Sequence, residues 1–280
     1  MEHYLEKLQE DMELRGFSDH TKDYYSRHVA AFLKHWNKPP EEATENDISK
    51  YLHGLIMGKR LKPQSINKYN TALRFFYETT LSKTLNLKAI PRCRAATKLP
   101  VLLTRNEIWR LFDVCELKDK AIFMTFYGSG IRLAELTNLK INDIDSKNMQ
   151  IFIRQGKHKK DRYALLSQSN LEILREYWKE YRPKEWLFES LPGECYTTRA
   201  IQIMLQRNLK KAGIDKHATI HTLRHCFATH LMEDGVDAFH IKKLMGHANI
   251  SSTAVYVHMT NLNTLNVTSP LDKMGGLTNV

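Results

Sequence analysis

His221-Thr222-Leu223-Arg224-His225-Cys226-Phe227-Ala228-Thr229-His230 is the stretch on which the reading of this 280-residue chain turns. On a helix, residues three apart share a face, so His221 and Arg224 project together. His225 follows Arg224 by one position and need not point the same way. His221 and His225 have the HxxxH spacing of a zinc-binding helix. A zinc protease, however, needs a Glu directly after the first His, and Thr222 stands there. An arginine between the two imidazoles would also repel a cation. The segment therefore reads as a guanidinium–imidazole pair without a metal.

Downstream lies Gly246-His247-Ala248-Asn249-Ile250-Ser251-Ser252-Thr253-Ala254-Val255-Tyr256. Gly246 reads as the residue that ends one helix, and Ser251 or Ser252 as the cap of a short helix bearing Tyr256. A tyrosine so placed is, taken alone, a packing residue. Upstream, Gly128-Ser129-Gly130-Ile131-Arg132-Leu133-Ala134-Glu135-Leu136 puts Arg132 just after a glycine turn, in the first turn of a new helix. A bidentate donor beside a positive helix end suits a phosphate, although a surface arginine fits equally. Between these segments, Met149, Ile151 and Ile153 alternate with Gln150, Phe152 and Arg154, which predicts a strand. Gly156-Lys157-His158-Lys159-Lys160 is then a turn, and Arg162–Leu166 a returning strand. Lysines on such a turn reach a nucleic-acid groove or are simply solvated.

Taken together, Arg132, Lys157, His221, Arg224, His247 and Tyr256 are what metal-free phosphoryl transfer requires. Two arginines neutralise the added charge of a pentacoordinate phosphate, and histidines hydrogen-bond its oxygens. A lysine protonates an alkoxide leaving group, and a phenol attacks in line. No cofactor is expected.

Charge agrees with a polyanionic partner. The chain carries 42 Lys+Arg against 31 Asp+Glu, a formal +11, with a pI near 9.4. Residues 1–90 hold 14 bases and 12 acids, residues 91–280 hold 28 and 19, so the excess concentrates in the second part. That excess would hold a phosphate backbone by counterion release. The hydrophobic fraction of 42% and mean hydropathy of −0.47 suit ordinary soluble cores. No run of about 18 apolar residues suggests a membrane span, and the first residues lack a secretory pattern. Cys93, Cys115, Cys195 and Cys226 form no CxxC pair, so reduced thiols in a cytoplasmic protein are expected.

The pattern predicts two domains. Within residues 1–85, apolar stripes predict four helices: one with Tyr4, Leu5, Leu8, Met12 and Leu14, one capped by Ser18, one opened by a Thr44–Asp47 capping box, and one from about Pro63 to Leu81. The last shows Lys68 and Arg74 on its polar face, with Asn67 and Asn70 close by; that face is either solvated or a DNA clamp. Residues 86–103, with Pro91, Pro100, Arg92, Arg94 and Lys98, read as a linker. Residues 104–280 are mixed but mainly helical, with helices at about 104–114, 117–127, 170–181 and 197–212. The helix at 197–212, presenting Arg199, Gln202, Gln206, Arg207 and Lys210, is the candidate reader of bases.

These residues resemble the tyrosine recombinases, or phage-type integrases, across nearly the whole chain. His221-x-x-Arg224, Gly246-His247 and Tyr256 nine residues later match the family pattern, as do Gly130–Leu136 and Gly156-Lys157. Residues 1–82 resemble the family's helical core-binding domain, and Leu99–Thr104 the start of its catalytic domain. The resemblance implies a mainly α protein with a small β-sheet, a helical DNA-holding domain and a mixed α/β catalytic domain, closing as a C-shaped clamp around duplex DNA. It implies a 3′-phosphotyrosyl link on Tyr256 and a scissile phosphate gripped by Arg132 and Arg224 with support from His221 and His247. Lys157 would be the general acid, with Lys159 and Lys160 close enough to compete. Four subunits would assemble on two DNA sites, without metal or ATP.

Within the family, the two-domain layout and the tail Val267–Lys273 resemble the Xer and integron branch. His221 follows Lys157 by 64 residues, which leaves no room for the helical insertion of integron integrases. A simple mobile-element integrase or a dimer-resolving Xer-like enzyme fits better. Three rival readings are a type IB topoisomerase, a catalytically silent DNA-binding regulator, and a metal nuclease. The small helical domain disfavours the first, the intact six-residue set the second, and the lack of clustered carboxylates the third.

Overall fold

Side-chain caps fix where most helices begin. Ser18 accepts from the Thr21 amide, Ser167 from Asn170, Thr197 from Ala200, and Asp237 from Phe239 and His240, while Thr44 with Asp47 and Thr104 with Glu107 form reciprocal capping boxes. Each satisfies amides that the first turn of a helix leaves unpaired. A computed structural model describes residues 1–86, 90–94, 100–154, 161–247 and 249–257. The chain divides into two units, Met1–Thr97 and Lys98–Val280.

The first unit holds α1 (Glu2–Leu14), α2 (Asp19–Trp36), α3 (Glu45–Lys59) and α4 (Pro63–Phe75), with a π-helical turn over Phe76–Thr80. Leu8, Met12, Val29, Phe32, Ile48, Leu52, Ile66, Leu73, Phe76 and Tyr77 make its core. The predicted stripe of α1 overreaches by one residue: Leu14 is 85% exposed. The polar face of α4 has a structural use that its sequence did not announce. Asn67 donates to the Cys93 carbonyl at 2.9 Å and accepts from the Cys93 amide at 2.8 Å. Asn70 donates to the Pro91 carbonyl at 3.1 Å, and Arg74 bonds Asn70 and the Ile90 carbonyl. Residues 90–93 are thus strapped onto α4, and Ile90 is buried in this core.

The second unit is anchored near its start by Leu103, whose amide donates to Cys226 Sγ at 3.2 Å deep in the core. It contains α5 (Arg105–Asp113), α6 (Leu117–Ser129), α7 (Leu133–Thr137), β1 (Ile144–Asp145), β2 (Gln150–Ile153), β3 (Arg162–Leu165), α8 (Gln168–Tyr181), β4 (Glu189–Leu191), β5 (Glu194–Cys195), α9 (Thr198–Lys211), α10 (Ile220–Glu233), α11 (Ala238–Met245) and α12 (Ser251–Val257). Helix α6 lies at the centre, with Ala121, Ile122, Phe123 and Phe126 fully buried, and packs against α8 and α10. Strands β1, β2 and β3 form an antiparallel sheet in that order, Ile151 facing Ala164 and Ile153 facing Arg162. Met149, read as the first strand residue, instead turns the chain with φ of 55°. The fold is mainly helical with a small antiparallel sheet. Among the described residues no helix is long and apolar enough to cross a membrane.

Candidate active site

Two helix ends organise the site. Helix α6 stops at Gly130, whose φ is 59°; a Cβ there would lie 2.2 Å from the Phe227 ring, so only glycine fits. Helix α11 stops at Gly246, with φ of 65° and Arg162 Nε 2.7 Å from where a Cβ would be. The last carbonyls of a helix lack intrahelical donors and concentrate negative partial charge. Here they hold arginines. Arg224 donates through Nη1 to the Gly130 carbonyl and through Nη2 to the Met245 carbonyl at 2.8 Å. Arg132 donates through Nη2 to the Gly246 carbonyl at 2.6 Å.

Glu135 completes the scaffold. Its Oε1 accepts from Arg132 Nη1 and Arg162 Nη1, each at 2.8 Å, and its Oε2 from Arg162 Nη2 at 2.8 Å and the Arg132 amide at 2.7 Å. Burial pushes its pKa up, but Arg162 and then Arg132 outweigh this and draw it down to about 2. The start of α7 was expected to offer a positive terminus to a ligand. Instead the Arg132 amide is taken by Glu135, and only the guanidinium remains for that task.

The cluster is short of negative charge. Arg132 and Arg162 share the Glu135 carboxylate, while Arg224, only 5% exposed, bonds main-chain carbonyls. Burial first, and Arg132 second, pull the Arg224 pKa down to about 10. His221 is exposed, and desolvation, then Arg224 and Arg132, hold its pKa below the usual value. His247 falls to about 4, through burial and then through Arg224 and Arg132. Burial leads all three shifts, and the neighbouring guanidiniums of Arg132 and Arg224 add to it, so further positive charge in the pocket is costly.

Tyr256 is 2% exposed and lies between two imidazoles. His247 runs nearly parallel to it, centroids 6.3 Å apart at 18°, and its Nδ1 pairs with Thr253 Oγ1 at 2.9 Å. His225 brings Nδ1 to 3.2 Å from Tyr256 Oη. Burial raises the phenol's pKa, and Arg224 opposes that.

Arg132, His221, Arg224, His247 and Tyr256 are therefore gathered from α7, α10 and the α11–α12 region. Lys157, Lys159, Lys160 and the tail at 267–273 lie outside the described residues. Glu135, Arg162 and His225 were not anticipated as site residues. Glu135 had a usable signal, because it follows Arg132 at capping-box spacing. Arg162 and His225 had none that fixes their direction. Among the described residues no three His, Cys, Asp or Glu side chains converge on a metal position.

The candidate DNA contacts divide. On α9, Arg199 is exposed and Gln202 half-buried. Gln206 donates to the Ala218 carbonyl at 2.8 Å, and Arg207 pairs with the buried Asp119 at 2.7 Å, so both already serve the fold. Lys68 is exposed with its ammonium 5.5 Å from the Tyr24 ring centre, whereas Arg74 straps residue 90.

A buried tyrosine beside clustered arginines and imidazoles is an arrangement suited to phosphoryl transfer. The chain belongs to the phage integrase family, which residues 102–262 match, while residues 4–87 match the N-terminal SAM-like domain of phage integrases. It is a tyrosine recombinase, an enzyme of site-specific DNA cleavage and rejoining. It is 37% identical to integrase/recombinase y4qK of Sinorhizobium fredii, over 95% of this chain and 88% of that one. It is 30% identical to tyrosine recombinase XerC of Lactobacillus leichmannii, over 88% of this chain and 90% of the relative. The fold also matches a lambda integrase tetramer bound to a Holliday junction, with a TM-score of 0.73 at 18% identity, over 91% of this chain and 76% of that one.

Proposed function

We propose that Tyr256 attacks the scissile phosphate in line and holds the 3′ end of the broken strand as a phosphotyrosyl ester. Arg132 and Arg224 bind the non-bridging oxygens, His221 and His247 hydrogen-bond them, and Lys157 protonates the departing 5′ oxygen. One observation carries this reading: two guanidinium groups share the single carboxylate of Glu135, and a third, Arg224, is buried on main-chain carbonyls beside a buried phenol. A phosphodiester supplies the missing negative charge, and the pentacoordinate transition state supplies more of it. Removing one such donor typically costs about a hundred- to a thousand-fold in rate. The ester keeps the energy of the broken bond, so a 5′ hydroxyl from a second duplex rejoins the strand without ATP.

The partner is double-stranded DNA. We assign the duplex-holding role to residues 1–85, the chemistry to residues 104–280, and the connection to residues 86–103. The separate cores of the two units and the two separate family matches support that division. A homotetramer on two sites is the working assembly, supported by the tetramer of the lambda integrase whose fold it shares. The enzyme acts in the cytoplasm.

The test is a trap. The protein, incubated without metal on a nicked suicide duplex carrying its site, should give a slow-migrating covalent adduct on a denaturing gel. Tyr256→Phe should abolish the adduct and leave DNA binding nearly intact. A duplex that binds but yields no adduct would make the chain a DNA-binding regulator instead.

A further inference from the structure

We propose that His225 is the base that takes the phenolic proton of Tyr256. The inference rests on the reading of Tyr256 as the nucleophile. Its geometric support is the approach of His225 Nδ1 to 3.2 Å from Tyr256 Oη. This is within reach for proton transfer once substrate draws the pair together, since catalytic hydrogen bonds are often long before it binds.

Three further observations fit. Tyr256 is 2% exposed, so bulk water has little access to the proton that must leave. A phenol has an ordinary pKa of about 10 and is almost wholly protonated at neutral pH. It therefore needs an acceptor. His247 is poorly placed for the task, because its ring lies nearly parallel to the phenol and its Nδ1 is paired with Thr253. His221 feels the charges of Arg224 and Arg132, the groups assigned above to the phosphate oxygens.

The groups around His225 favour its neutral, accepting form. Burial comes first, followed by His221 and Arg224 on its own helix, and all hold its pKa below the usual value. His247 and Tyr256 face it from the α11–α12 region. The tautomer required carries its proton on Nε2 and leaves Nδ1 as acceptor.

The proton on Oη moves to Nδ1, and an Oη lone pair forms the new P–O bond. The bond from phosphorus to the 5′ oxygen breaks with its electron pair on that oxygen, which takes a proton from Lys157. On rejoining, the imidazolium of His225 returns its proton to Oη as Tyr256 departs. Between the two steps that imidazolium sits beside a phosphodiester, whose negative charge favours it.

The test separates a base from a positioning residue. Asparagine can accept a hydrogen bond where Nδ1 does, but it cannot take a proton. His225→Asn should therefore slow adduct formation on the suicide duplex by a hundred-fold or more, in the range typical of a lost general base (about 10²–10⁴). Placing a fluorinated tyrosine of lower pKa at position 256 should restore much of that loss in the Asn protein and change the His225 protein little. Wild-type speed in His225→Asn, or an equal effect of fluorotyrosine in both proteins, overturns the proposal.

A second measurement needs no substitution at 225. A duplex with a 5′-bridging sulfur has a leaving group that departs without a proton. A solvent deuterium effect of about two or more on its cleavage then reports the proton of Tyr256, as general-base transfer requires. An effect near one rejects it. If Tyr256→Phe still forms the adduct, the nucleophile itself is misassigned. If only the His225 measurements fail, the nucleophile stands and the base is elsewhere.

Discussion

Arg162 grips Glu135 through both carboxylate oxygens, with each contact at 2.8 Å. The two residues lie 27 positions apart, on β3 and α7, and together they aim the guanidinium of Arg132. Removing one partner of a buried ion pair leaves an uncompensated charge and costs roughly 3–5 kcal/mol. Glu135→Ala should lose about that much stability in urea unfolding, and its remaining folded fraction should cleave DNA more slowly. An unchanged midpoint would mean that Arg162 and Arg132 are held by other groups.

Acid should destabilise the second unit in two stages. His230 and His247 have folded pKa values near 4, both lowered chiefly by burial. Each therefore adds stability that is complete above the ordinary histidine value and is lost as pH falls towards 4. Glu135, lowered from 4.5 to about 2, adds stability that is full above 4.5 and disappears as pH falls to 2, on the order of 3 kcal/mol. A stability–pH curve with only a carboxylate limb would argue that the two imidazoles are not buried neutral.

Gly130→Ala should be among the most damaging single changes. The added methyl meets the Phe227 ring at 2.2 Å, at a φ of 59°. Either the helix end or Phe227 has to move, and the carbonyl that holds Arg224 moves with it. Gly213 also has a positive φ, yet nothing lies within 4 Å of its would-be Cβ. Gly213→Ala should thus cost only the left-handed backbone strain, roughly 1–2 kcal/mol, and keep cleavage. Equal losses in thermal melts of the two variants would contradict this account.

Binding to duplex DNA should weaken steeply with salt, and Arg199→Ala should weaken it without altering the melting temperature. Arg207→Ala should do the reverse. It removes the charged partner of Asp119, which is 4% exposed and keeps only its bond from Asn208 among those described, and so should lower stability more than affinity. Gel-shift titrations at two salt concentrations, paired with melts, distinguish the two residues.

Much of this molecule is legible in its sequence because its helices announce their own starts. Thr44 with Asp47 and Thr104 with Glu107 are local signals, read within four residues. The cluster of Arg132, His221, Arg224, His247 and Tyr256 was legible through motif spacing. The short strands were less so: Ile144–Asp145 and Glu194–Cys195 hold two residues each, too few for any alternation to register. Arg162 was read as the start of a strand, and its role depends on Glu135 folding back over it. His225 was visible as a neighbour of Arg224, but only the docking of α12 determines which imidazole meets the phenol. Long-range partners of that kind leave no periodicity behind.

The arginines of this site are moored to main-chain oxygens of residues 130, 245 and 246, and two of those three lie late in the chain. A ribosome delivers Arg132 more than a hundred residues before the carbonyl that steadies it. While the chain is still growing it holds guanidiniums without berths, and its phenol has not yet been made. On the mechanism proposed above, a product interrupted before residue 256 lacks its nucleophile and is blunt. For an enzyme that cuts DNA, that order of assembly works, on the proposed chemistry, as a safety catch.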